Sequence, residues 1–231
     1  IMERLVGSEM CIRDSLHTGA EAVVTSGTWF GADAIKKQRT ERKWRHPDLD
    51  AQLTKKRLQN EIKLMVKLRN KGLPLPKIFD VDLTQRSMIM ERIDGQPLID
   101  ILKIEKNHES ILHSVGKSIR LLHREAVTHG DLSTNNIMIS KNEAAILIDL
   151  GLAKVEYEVE GFGIDLHVLH EIFRASHPNI DSAMHHVIEG YLNVDEQLGE
   201  AELGSGGTIP SAQECVNRLE KIKQRVRYHS G

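Results

Sequence analysis

Residues 127–153 read VTHGDLSTNNIMISKNEAAILIDLGLA, and we interpret the rest of the chain around the polar side chains of this stretch. Asp131 is followed five positions later by Asn136, and a short apolar hairpin separates this amide from Asp149. The two ends of the hairpin would bring Asn136 and Asp149 close together. One carboxylate can orient or deprotonate a hydroxyl, while an amide and a second carboxylate hold Mg²⁺ on the phosphates of a nucleotide. The stretch therefore predicts a site for a magnesium-bound nucleotide.

Length and composition limit the classes of protein to consider. The 231 residues suffice for one sizeable domain or two small lobes. A hydrophobic share of 40% is typical of globular proteins, and the net charge of −2 excludes a broadly basic nucleic-acid binder. Cys11 and Cys215 form no CxxC pattern, which argues against a disulfide framework or structural zinc and favours a cytoplasmic setting. No apolar run approaches the roughly 18 residues of a membrane span and no signal-peptide pattern opens the chain, so we expect no membrane association.

The pattern HGDLxxxN followed by IDLG resembles the catalytic and metal-binding loops of the protein-kinase superfamily. Kinases cover the phosphates with a glycine-containing hairpin, because glycine lets backbone N–H groups approach them. Here only Gly19 and Ala20 could do so, and an ordinary hairpin is the alternative because GxGxxG is absent. Kinases also bind adenine through backbone groups at a hinge that follows a strand. We place this hinge at Met90, Glu91 and Ile93.

A lysine pair and a glutamate could complete such a site. Lys36 and Lys37 lie on a predicted strand, so their side chains point to opposite faces and only one can face a ligand. The Ala-Ile-Lys spacing that ends at Lys36 is similar to the VAIK strand of kinases and favours that lysine. Glu61 lies in the apolar stripe of a helix predicted at residues 49–69, where a carboxylate is costly unless a cation meets it. This predicts a Lys–Glu ion pair, and the alternative is a glutamate that reaches solvent at the edge of the stripe.

The order of the elements predicts an α+β protein. Short strands and one helix precede residue 92, and helices around one hairpin follow. We therefore expect a two-lobed, protein-kinase-like fold with a small mostly-β N-lobe at residues 16–92, a reduced helical C-lobe at 93–231, and the site in the cleft between them. Residues 1–15 are interpreted as a loose or non-native extension. Further predicted elements are strands at 77–83 and 87–92, hairpin strands at 136–139 and 144–148, helices at 108–124, 163–175 and 179–193, and a last helix after a capping box formed by Ser211 and Glu214.

Additional segments resemble one group of atypical kinases, the KEOPS-complex kinase family, also called PRPK kinases. The resemblance covers the chain from about residue 16 to its end. The matching segments are Gly19-Ala20-Glu21-Ala22, Lys37-x-Arg39, Trp44-Arg45-His46-Pro47-x-Leu49-Asp50, His129-Gly130-Asp131-Leu132-Ser133-Thr134-Asn135-Asn136, Ile148-Asp149-Leu150-Gly151-Leu152-Ala153, Ile164-Asp165-Leu166-His167-Val168-Leu169 and Ser176-His177-Pro178. Within this family, the spacing to the Arg-His-Pro segment favours Lys37 over Lys36 as the lysine that holds the α- and β-phosphates.

The resemblance implies an ATP-dependent, Mg²⁺-using serine/threonine kinase or ATPase. It also implies a protein partner, a KEOPS-type subunit that makes threonylcarbamoyladenosine in tRNA. Position by position, Asp131 would be the catalytic residue, and Asn136 and Asp149 would bind Mg²⁺. Glu61 would position the phosphate-binding lysine. Asp165 would brace the catalytic loop by accepting hydrogen bonds from its backbone.

The chain departs from ordinary kinases at several positions. Asp149 is followed by Leu150 where ordinary kinases have Phe, and His129 is followed by Gly130 where many have the Arg that receives an activation-loop phosphate. Asp165 lies sixteen positions after Asp149 with no Ala-Pro-Glu between them, which is too short for the usual peptide-binding activation segment. We therefore expect ATP hydrolysis coupled to a partner to outweigh phosphorylation of free protein substrates.

Two other functions use the same motifs. Small-molecule phosphotransferases of the aminoglycoside-kinase type share HGDxxxxN, but they usually carry more helical structure after the metal-binding Asp than remains here. A non-catalytic kinase-fold binding module would have no need of the complete Lys, Glu, Asp, Asn and Asp set.

Basic residues suggest a further contact. Arg39, Arg42, Lys43, Arg45 and residues 221–227 could touch RNA phosphates, which predicts at most weak and salt-dependent binding of tRNA by the isolated chain. A partner-facing or solvated surface is the alternative.

Overall fold

The computed structural model of the chain describes residues 10–18, 22–42, 44–104 and 108–229. The chain divides into two compact units. The first extends to Lys67 and includes Pro76–Ile93, and the second comprises Leu68–Leu75 and the chain from Asp94 onward. The sequence placed the boundary between its two lobes at residues 92 and 93. Within the described residues, none of the helices combines the length and apolar character that crossing a membrane requires.

The first unit contains a five-stranded antiparallel sheet. The strands are β1 (Cys11–Thr18), β2 (Ala22–Trp29), β3 (Ala32–Arg39), β4 (Ile78–Asp82) and β5 (Ser87–Glu91). Their spatial order is β1-β2-β3-β5-β4, and each neighbouring pair is antiparallel. Among the described residues of this unit there is one helix, α1 (Pro47–Asn70), which begins here and ends in the second unit. Because β3 pairs on both sides, its side chains are held in a fixed alternation between the two faces of the sheet.

Strand β1 begins inside the segment that the sequence assigned to a loose extension. Cys11 lies opposite Thr28 of β2, so part of residues 1–15 is paired in the sheet. The sequence carried no strand signal because side chains 11–16 are exposed and need no alternation of apolar and polar types. Residues 1–9 lie outside the described residues. Gly19 and Ala20, the predicted tip of the phosphate hairpin, also lie outside them.

The second unit is mainly helical. Its elements are β6 (Gly95–Pro97), α2 (Leu98–Ile104), α3 (Glu109–His123), β7 (Val127–Thr128), β8 (Ile137–Ser140), β9 (Ala145–Leu147), a 3₁₀ turn (Leu150–Leu152), β10 (Lys154–Val155), α4 (Val159–Ser176), α5 (Ala183–Leu198) and α6 (Ala212–His229). β6, β8 and β9 form one small sheet, and β7 pairs with β10. The predicted α+β class, with a mostly-β part that carries one helix and a helical part around one hairpin, is confirmed.

Helices α3 and α5 form the centre of the second unit. They approach closely because glycine stands at both contact points: a Cβ on Gly116 would overlap the carbonyl oxygen of Val187, and a Cβ on Gly190 would overlap that of His113. The apolar face of α3 is almost completely buried at Ile111, Leu112, Val115, Ile119 and Leu122. Burial of such side chains contributes about 1.5 to 3 kcal/mol each. The backbones of α3 and α5 are therefore held in a fixed relation.

The last helix begins at the predicted capping box. The backbone N–H of Ser211 donates to Oε2 of Glu214 at 2.8 Å, and the backbone N–H of Glu214 donates to Oγ of Ser211 at 3.2 Å. These reciprocal bonds satisfy two N–H groups that the first turn of α6 leaves without a helical partner.

Candidate active site

The hairpin β8–β9 sets Asn136 and Asp149 at one end of the small sheet. Ile137 pairs with Leu147, and one step further the backbone N–H of Ile148 donates to the carbonyl oxygen of Asn136 at 3.0 Å. Asn136 comes directly before β8, and Asp149 comes directly after Ile148. The predicted amide and second carboxylate therefore leave the hairpin from adjoining backbone positions.

Asp131 is joined to Asn136 within one loop. The Nδ2 of Asn136 donates to the carbonyl oxygen of Asp131 at 2.9 Å and to its Oδ2 at 3.1 Å. A turn in which the N–H of Asn136 donates to the carbonyl oxygen of Ser133 at 3.0 Å closes the loop. Because the amide nitrogen is used in this way, the amide oxygen is the atom with which Asn136 could bind a cation. Asp131 itself is exposed, so its carboxylate is accessible to a substrate.

Asp149 occupies a backbone conformation that few residues adopt. Its φ of 60° and ψ of 67° are left-handed, and its Oδ1 accepts the N–H of Gly151 at 3.2 Å at the start of the 3₁₀ turn. Asp and Asn tolerate this conformation better than most non-glycine residues. The side chains of Asp131, Asn136 and Asp149 offer oxygen donors, the ligands that Mg²⁺ prefers. The residues present thus fit a hard divalent cation.

The side chain of His129 connects the two acidic positions. Its Nε2 lies 3.0 Å from the carbonyl oxygen of Ile148, and its Nδ1 lies 3.3 Å from the backbone nitrogen of Asp131. An imidazole with its proton on Nε2 satisfies both contacts, since Nε2–H donates to the carbonyl and Nδ1 accepts the backbone N–H. His129 is buried. The position of Asp131 is therefore tied to the residue that precedes Asp149.

Asp165, on α4, holds the backbone of the same loop. It is 3% exposed, and its carboxylate accepts the N–H of His129 at 2.5 Å and the N–H of Gly130 at 2.9 Å. Gly130 has a φ of 78°, and a Cβ on it would lie 2.5 Å from the carbonyl oxygen of Leu152. Glycine is required here for both reasons. The bend that precedes Asp131 is thus set by one glycine and one buried carboxylate.

A buried chain of polar groups continues behind Asp165. His123 Nε2 lies 3.4 Å from Asp165 Oδ2, and His123 Nδ1 lies 2.8 Å from the hydroxyl of Tyr191. Burial lowers the pKa of His123 despite the neighbouring carboxylate, and burial raises the pKa of Tyr191 well above 10.0. Burial alone would raise the pKa of Asp165, but the hydrogen bond and charge of His123 and the N–H donors of the loop outweigh it and lower that pKa. Tyr191 can therefore donate to a neutral His123, which donates to an ionised Asp165.

Lys37 and Glu61 form a buried ion pair in the first unit. Lys37 Nζ lies 2.9 Å from Glu61 Oε1, and the Glu61 side chain is 1% exposed. Arg39, two positions along β3 and hence on the same face, places Nη2 2.5 Å from Glu61 Oε2. Lys36 points to the opposite face and is half-buried. The structure therefore brings Lys37, rather than Lys36, to Glu61.

The position of Arg39 differs from the RNA-facing role that the sequence suggested. Arg39 is 8% exposed and its guanidinium meets the carboxylate of Glu61, so that expectation was wrong for this residue. The alternation of β3 indicates that Arg39 shares a face with Lys37, but local sequence does not show that α1 covers this face.

The predicted adenine hinge lies at the end of β5. Met90 pairs with Ile35 of β3, and the N–H of Glu91 donates to the carbonyl oxygen of Lys77 at 2.8 Å. Ile93 is half-buried two residues beyond the strand. The assignment of these residues to adenine binding stays a prediction.

Two further residues, His123 and Tyr191, escaped the sequence analysis. The sequence shows only a histidine among the apolar positions of the helix predicted at residues 108–124 and a tyrosine in the helix predicted at residues 179–193. No spacing rule connects either residue to Asp165.

Comparison with known proteins adds independent information. The sequence profile of the RIO domain family matches residues 26–183. An EKC/KEOPS complex subunit of Schizosaccharomyces pombe is 31% identical over 218 residues, which cover 90% of this chain and 86% of that protein. The EKC/KEOPS complex subunit bud32 of Dictyostelium discoideum is 32% identical over 76% of this chain and 73% of its own length.

A second kind of relative is much longer. The probable bifunctional tRNA threonylcarbamoyladenosine biosynthesis protein of Methanosarcina mazei is 31% identical over 92% of this chain, but the match covers 35% of that protein. The chain thus spans about a third of the length of these bifunctional relatives. RIO domains are kinase-like phosphotransferases or ATPases that use ATP and a divalent metal ion. Since the profile covers most of the chain and relatives of similar length are more than 30% identical, the chain belongs to the RIO domain family and, within it, to the KEOPS-complex kinases.

Proposed function

We propose that this chain is an ATP-dependent, Mg²⁺-using kinase or ATPase subunit that works in the cytoplasm within a KEOPS-type complex. Its partner would be the subunit that makes threonylcarbamoyladenosine in tRNA. The observation that carries the proposal is the joining of Asp131, Asn136 and Asp149 around one hairpin, with Asp165 bracing the loop. The names of the relatives that match over most of their own length support the choice of complex.

The residues of the second unit have distinct roles in this proposal. The Asn136 amide oxygen and the Asp149 carboxylate would hold Mg²⁺, which supplies positive charge against the phosphates of ATP. Asp131, exposed and fixed by Asn136, would orient an attacking water or hydroxyl and accept its proton at a carboxylate oxygen. His129 and Asp165 would keep that carboxylate in place without touching the substrate.

Lys37 would supply the cation of the first unit. Its ammonium is held by Glu61, and an ammonium on a rigid strand suits the α- and β-phosphates of ATP. Arg39 holds the second oxygen of Glu61, so the carboxylate is fixed from two sides. Glu61 would therefore be a positioning residue that sets the direction of Lys37.

We infer that ATP hydrolysis coupled to the partner outweighs serine/threonine phosphorylation of free proteins. The segment between Asp149 and α4 is described throughout, and it holds the 3₁₀ turn and β10 before α4 begins at Val159. β10 returns at once to the catalytic loop, with Lys154 opposite Thr128 and the N–H of Glu156 donating to the carbonyl oxygen of Ala126 at 2.8 Å. This leaves little chain from which to build a platform for a peptide.

The test is release of phosphate from ATP with and without the tRNA-modifying partner. We expect turnover that needs a divalent metal, rises with the partner and is lost in Asp149→Asn. Asp100→Asn is the matched control, because Asp100 is an exposed carboxylate paired with Lys103 on α2. Full turnover by Asp149→Asn in the presence of Mg²⁺ would overturn the site assignment. Phosphate found only on a small alcohol would favour a small-molecule phosphotransferase, and undetectable Mg-ATP binding by calorimetry would favour a non-catalytic module.

A weak contact with tRNA belongs to the same proposal. Trp44 is 75% exposed, and the guanidinium groups of Arg42 and Arg45 lie 5.8 and 4.6 Å from its ring centroid. Such a group could meet phosphates and bases in an assembly. We expect the isolated chain to bind tRNA weakly, with an affinity that falls as salt rises. An affinity that does not depend on ionic strength would contradict this expectation.

A further inference from the structure

Helices α3 and α5 carry a group of histidine and carboxylate side chains that the proposed reaction does not use. Glu109 and His113 lie one turn apart on α3, and His186 and Glu189 lie one turn apart on α5. We call these four residues the α3–α5 histidine cluster. Candidate ligand atoms of Glu109, His113 and His186 all lie within 4.8 Å of one another.

Both imidazoles of the cluster lie within hydrogen-bond distance of the same carboxylate oxygen. Glu189 Oε2 lies 3.1 Å from His113 Nε2 and 3.1 Å from His186 Nδ1. Two donor atoms of a tetrahedral Zn²⁺ site lie about 3.3 Å apart when each is about 2.0 to 2.1 Å from the metal. The two nitrogen–oxygen separations at Glu189 are therefore close to the spacing that one zinc ion requires.

The backbone fixes this geometry in advance. Gly190 follows Glu189, and it packs directly against the carbonyl group of His113 because it has no Cβ. Each helix supplies one imidazole and one carboxylate toward the same space, the arrangement by which facing helices build metal sites in helical bundles.

The cluster also has the access and charge that an ion needs. The side chains of His113 and His186 are 33% and 22% exposed. His113 lines a surface cavity of about 410 Å³, which offers a route from solvent. The carboxylates of Glu109 and Glu189 supply negative charge and oxygen ligands for a cation.

We propose that the α3–α5 histidine cluster binds one divalent transition-metal ion of the zinc class. Two imidazoles with carboxylates and no thiolate suit Zn²⁺, and they suit Mg²⁺ poorly because it prefers oxygen ligands. Ligand atoms of Glu109, His113 and His186 form one group and Glu189 contacts both imidazoles, so four side chains are available to close the coordination sphere, as is typical of a structural site. The ion would tie α3 to α5 and would be separate from the metal ion of the reaction.

The first experiment titrates metal-free protein with ZnCl₂ by calorimetry and records thermal unfolding. We expect one Zn²⁺ per cluster, a higher melting temperature with zinc and little response to the same concentration of Mg²⁺. The absence of saturable zinc binding would overturn the proposal.

Matched histidine variants locate the ion. His113→Gln and His186→Gln should each weaken zinc binding at least about tenfold, whereas His46→Gln, an exposed histidine before α1, should leave it unchanged. Urea unfolding of the metal-free variants shows whether each still folds. A second histidine group, formed by His167, His170 and Glu171 on α4, supplies the decisive comparison. Binding that survives in His113→Gln and disappears in His170→Gln would place the ion on α4 and overturn the proposal.

Discussion

The Oδ1 atom of Asp165 accepts a hydrogen bond of 2.9 Å from the backbone N–H of Gly130, although 35 positions separate the two residues in the chain. The other carboxylate oxygen accepts the N–H of His129 at 2.5 Å. A buried carboxylate that receives two backbone donors is a strong constraint, because each donor would lose its partner if the loop moved. These two hydrogen bonds restrict the position of Asp131, which directly follows Gly130.

We therefore expect Asp165→Asn to lower the rate of ATP turnover, although Asp165 itself does not contact the substrate in the proposed mechanism. An amide at this position can accept one N–H but presents its own NH₂ to the other donor, so the bend before Asp131 is lost. ATP turnover should fall roughly 10- to 100-fold, the usual effect of removing a supporting hydrogen bond at a metal-dependent site. The free energy of unfolding should fall by about 1 to 3 kcal/mol.

Steady-state turnover and urea unfolding measure both effects. Asp181→Asn is a suitable control, because Asp181 is an exposed residue before α5. An unchanged kcat in Asp165→Asn would show that the hydrogen bonds to His129 and Gly130 do not set the position of Asp131.

The adjacent lysines of β3 offer a direct test of the phosphate-binding residue. Lys37 is buried against Glu61, whereas Lys36 points to the other face of the sheet. Lys37→Met should raise the KM for ATP or lower kcat/KM on the order of a hundredfold, as expected for loss of several kcal/mol of charge stabilisation. Lys36→Met should change neither value by more than about twofold. The reverse order of effects would assign the role to Lys36.

The contacts of Glu61 also predict that Glu61→Gln destabilises the protein more than Lys37→Met does. Glu61 is shared between Lys37 and Arg39, and the three side chains are 1%, 8% and 6% exposed, respectively. Glu61→Gln leaves two buried cations around a neutral amide, and loss of one partner from a buried ion pair costs about 3 to 5 kcal/mol. Lys37→Met costs less, because Arg39 still compensates the carboxylate.

Urea unfolding of Glu61→Gln, Lys37→Met and the unaltered protein gives this order directly. Equal destabilisation by the two substitutions would mean that Arg39 does not share the charge of Glu61.

The fold was predictable where a pattern extended over many residues. Helix α1 and the strands β4 and β5 were predicted within two residues of their observed ends, since their apolar spacing or turn residues are local. Helix α2 was missed because its seven residues make only about two helical turns. β6, β7 and β10 were missed because they have three, two and two residues and no predicted hairpin turn joins them. The first part of β1 was missed because side chains 11–16 are exposed and show no alternation.

The residues of the site likewise fall into those that local sequence predicts and those that it does not. Asp131, Asn136 and Asp149 lie on one short stretch, so the chain itself sets their spacing. His123 and Tyr191 meet only through the packing of α3, α4 and α5, with 68 positions between them. Arg39 was assigned to a surface because its sequence neighbours are basic, and only the covering helix α1 reveals that it meets Glu61. Contacts that arise from tertiary packing cannot be predicted from the neighbouring residues in the sequence.

The polar chain of Tyr191, His123 and Asp165 predicts how stability depends on pH. Burial lowers the pKa of His123 below 6.5, so the unfolded chain binds a proton at a higher pH than the folded chain does. Above pH 6.5 both states are neutral and the contribution of His123 is complete. As the pH falls below 6.5, the unfolded state gains a proton that the folded state does not bind, and the free energy of unfolding decreases. Each pH unit of this difference costs about 1.4 kcal/mol per histidine.

Urea unfolding at pH 7.5 and pH 5.5 should therefore show a lower free energy of unfolding at pH 5.5. His170 and His177 act in the same direction, because burial also lowers their pKa values. His123→Gln should be less stable than the unaltered protein at pH 7.5, since Tyr191 and Asp165 lose a buried partner, but its stability should fall less between the two pH values. His46→Gln, which replaces an exposed histidine, should keep the full pH dependence. If His123→Gln and the unaltered protein lose the same free energy between pH 7.5 and 5.5, His123 is not neutral in the folded state, and the direction of donation from Tyr191 through His123 to Asp165 must be revised.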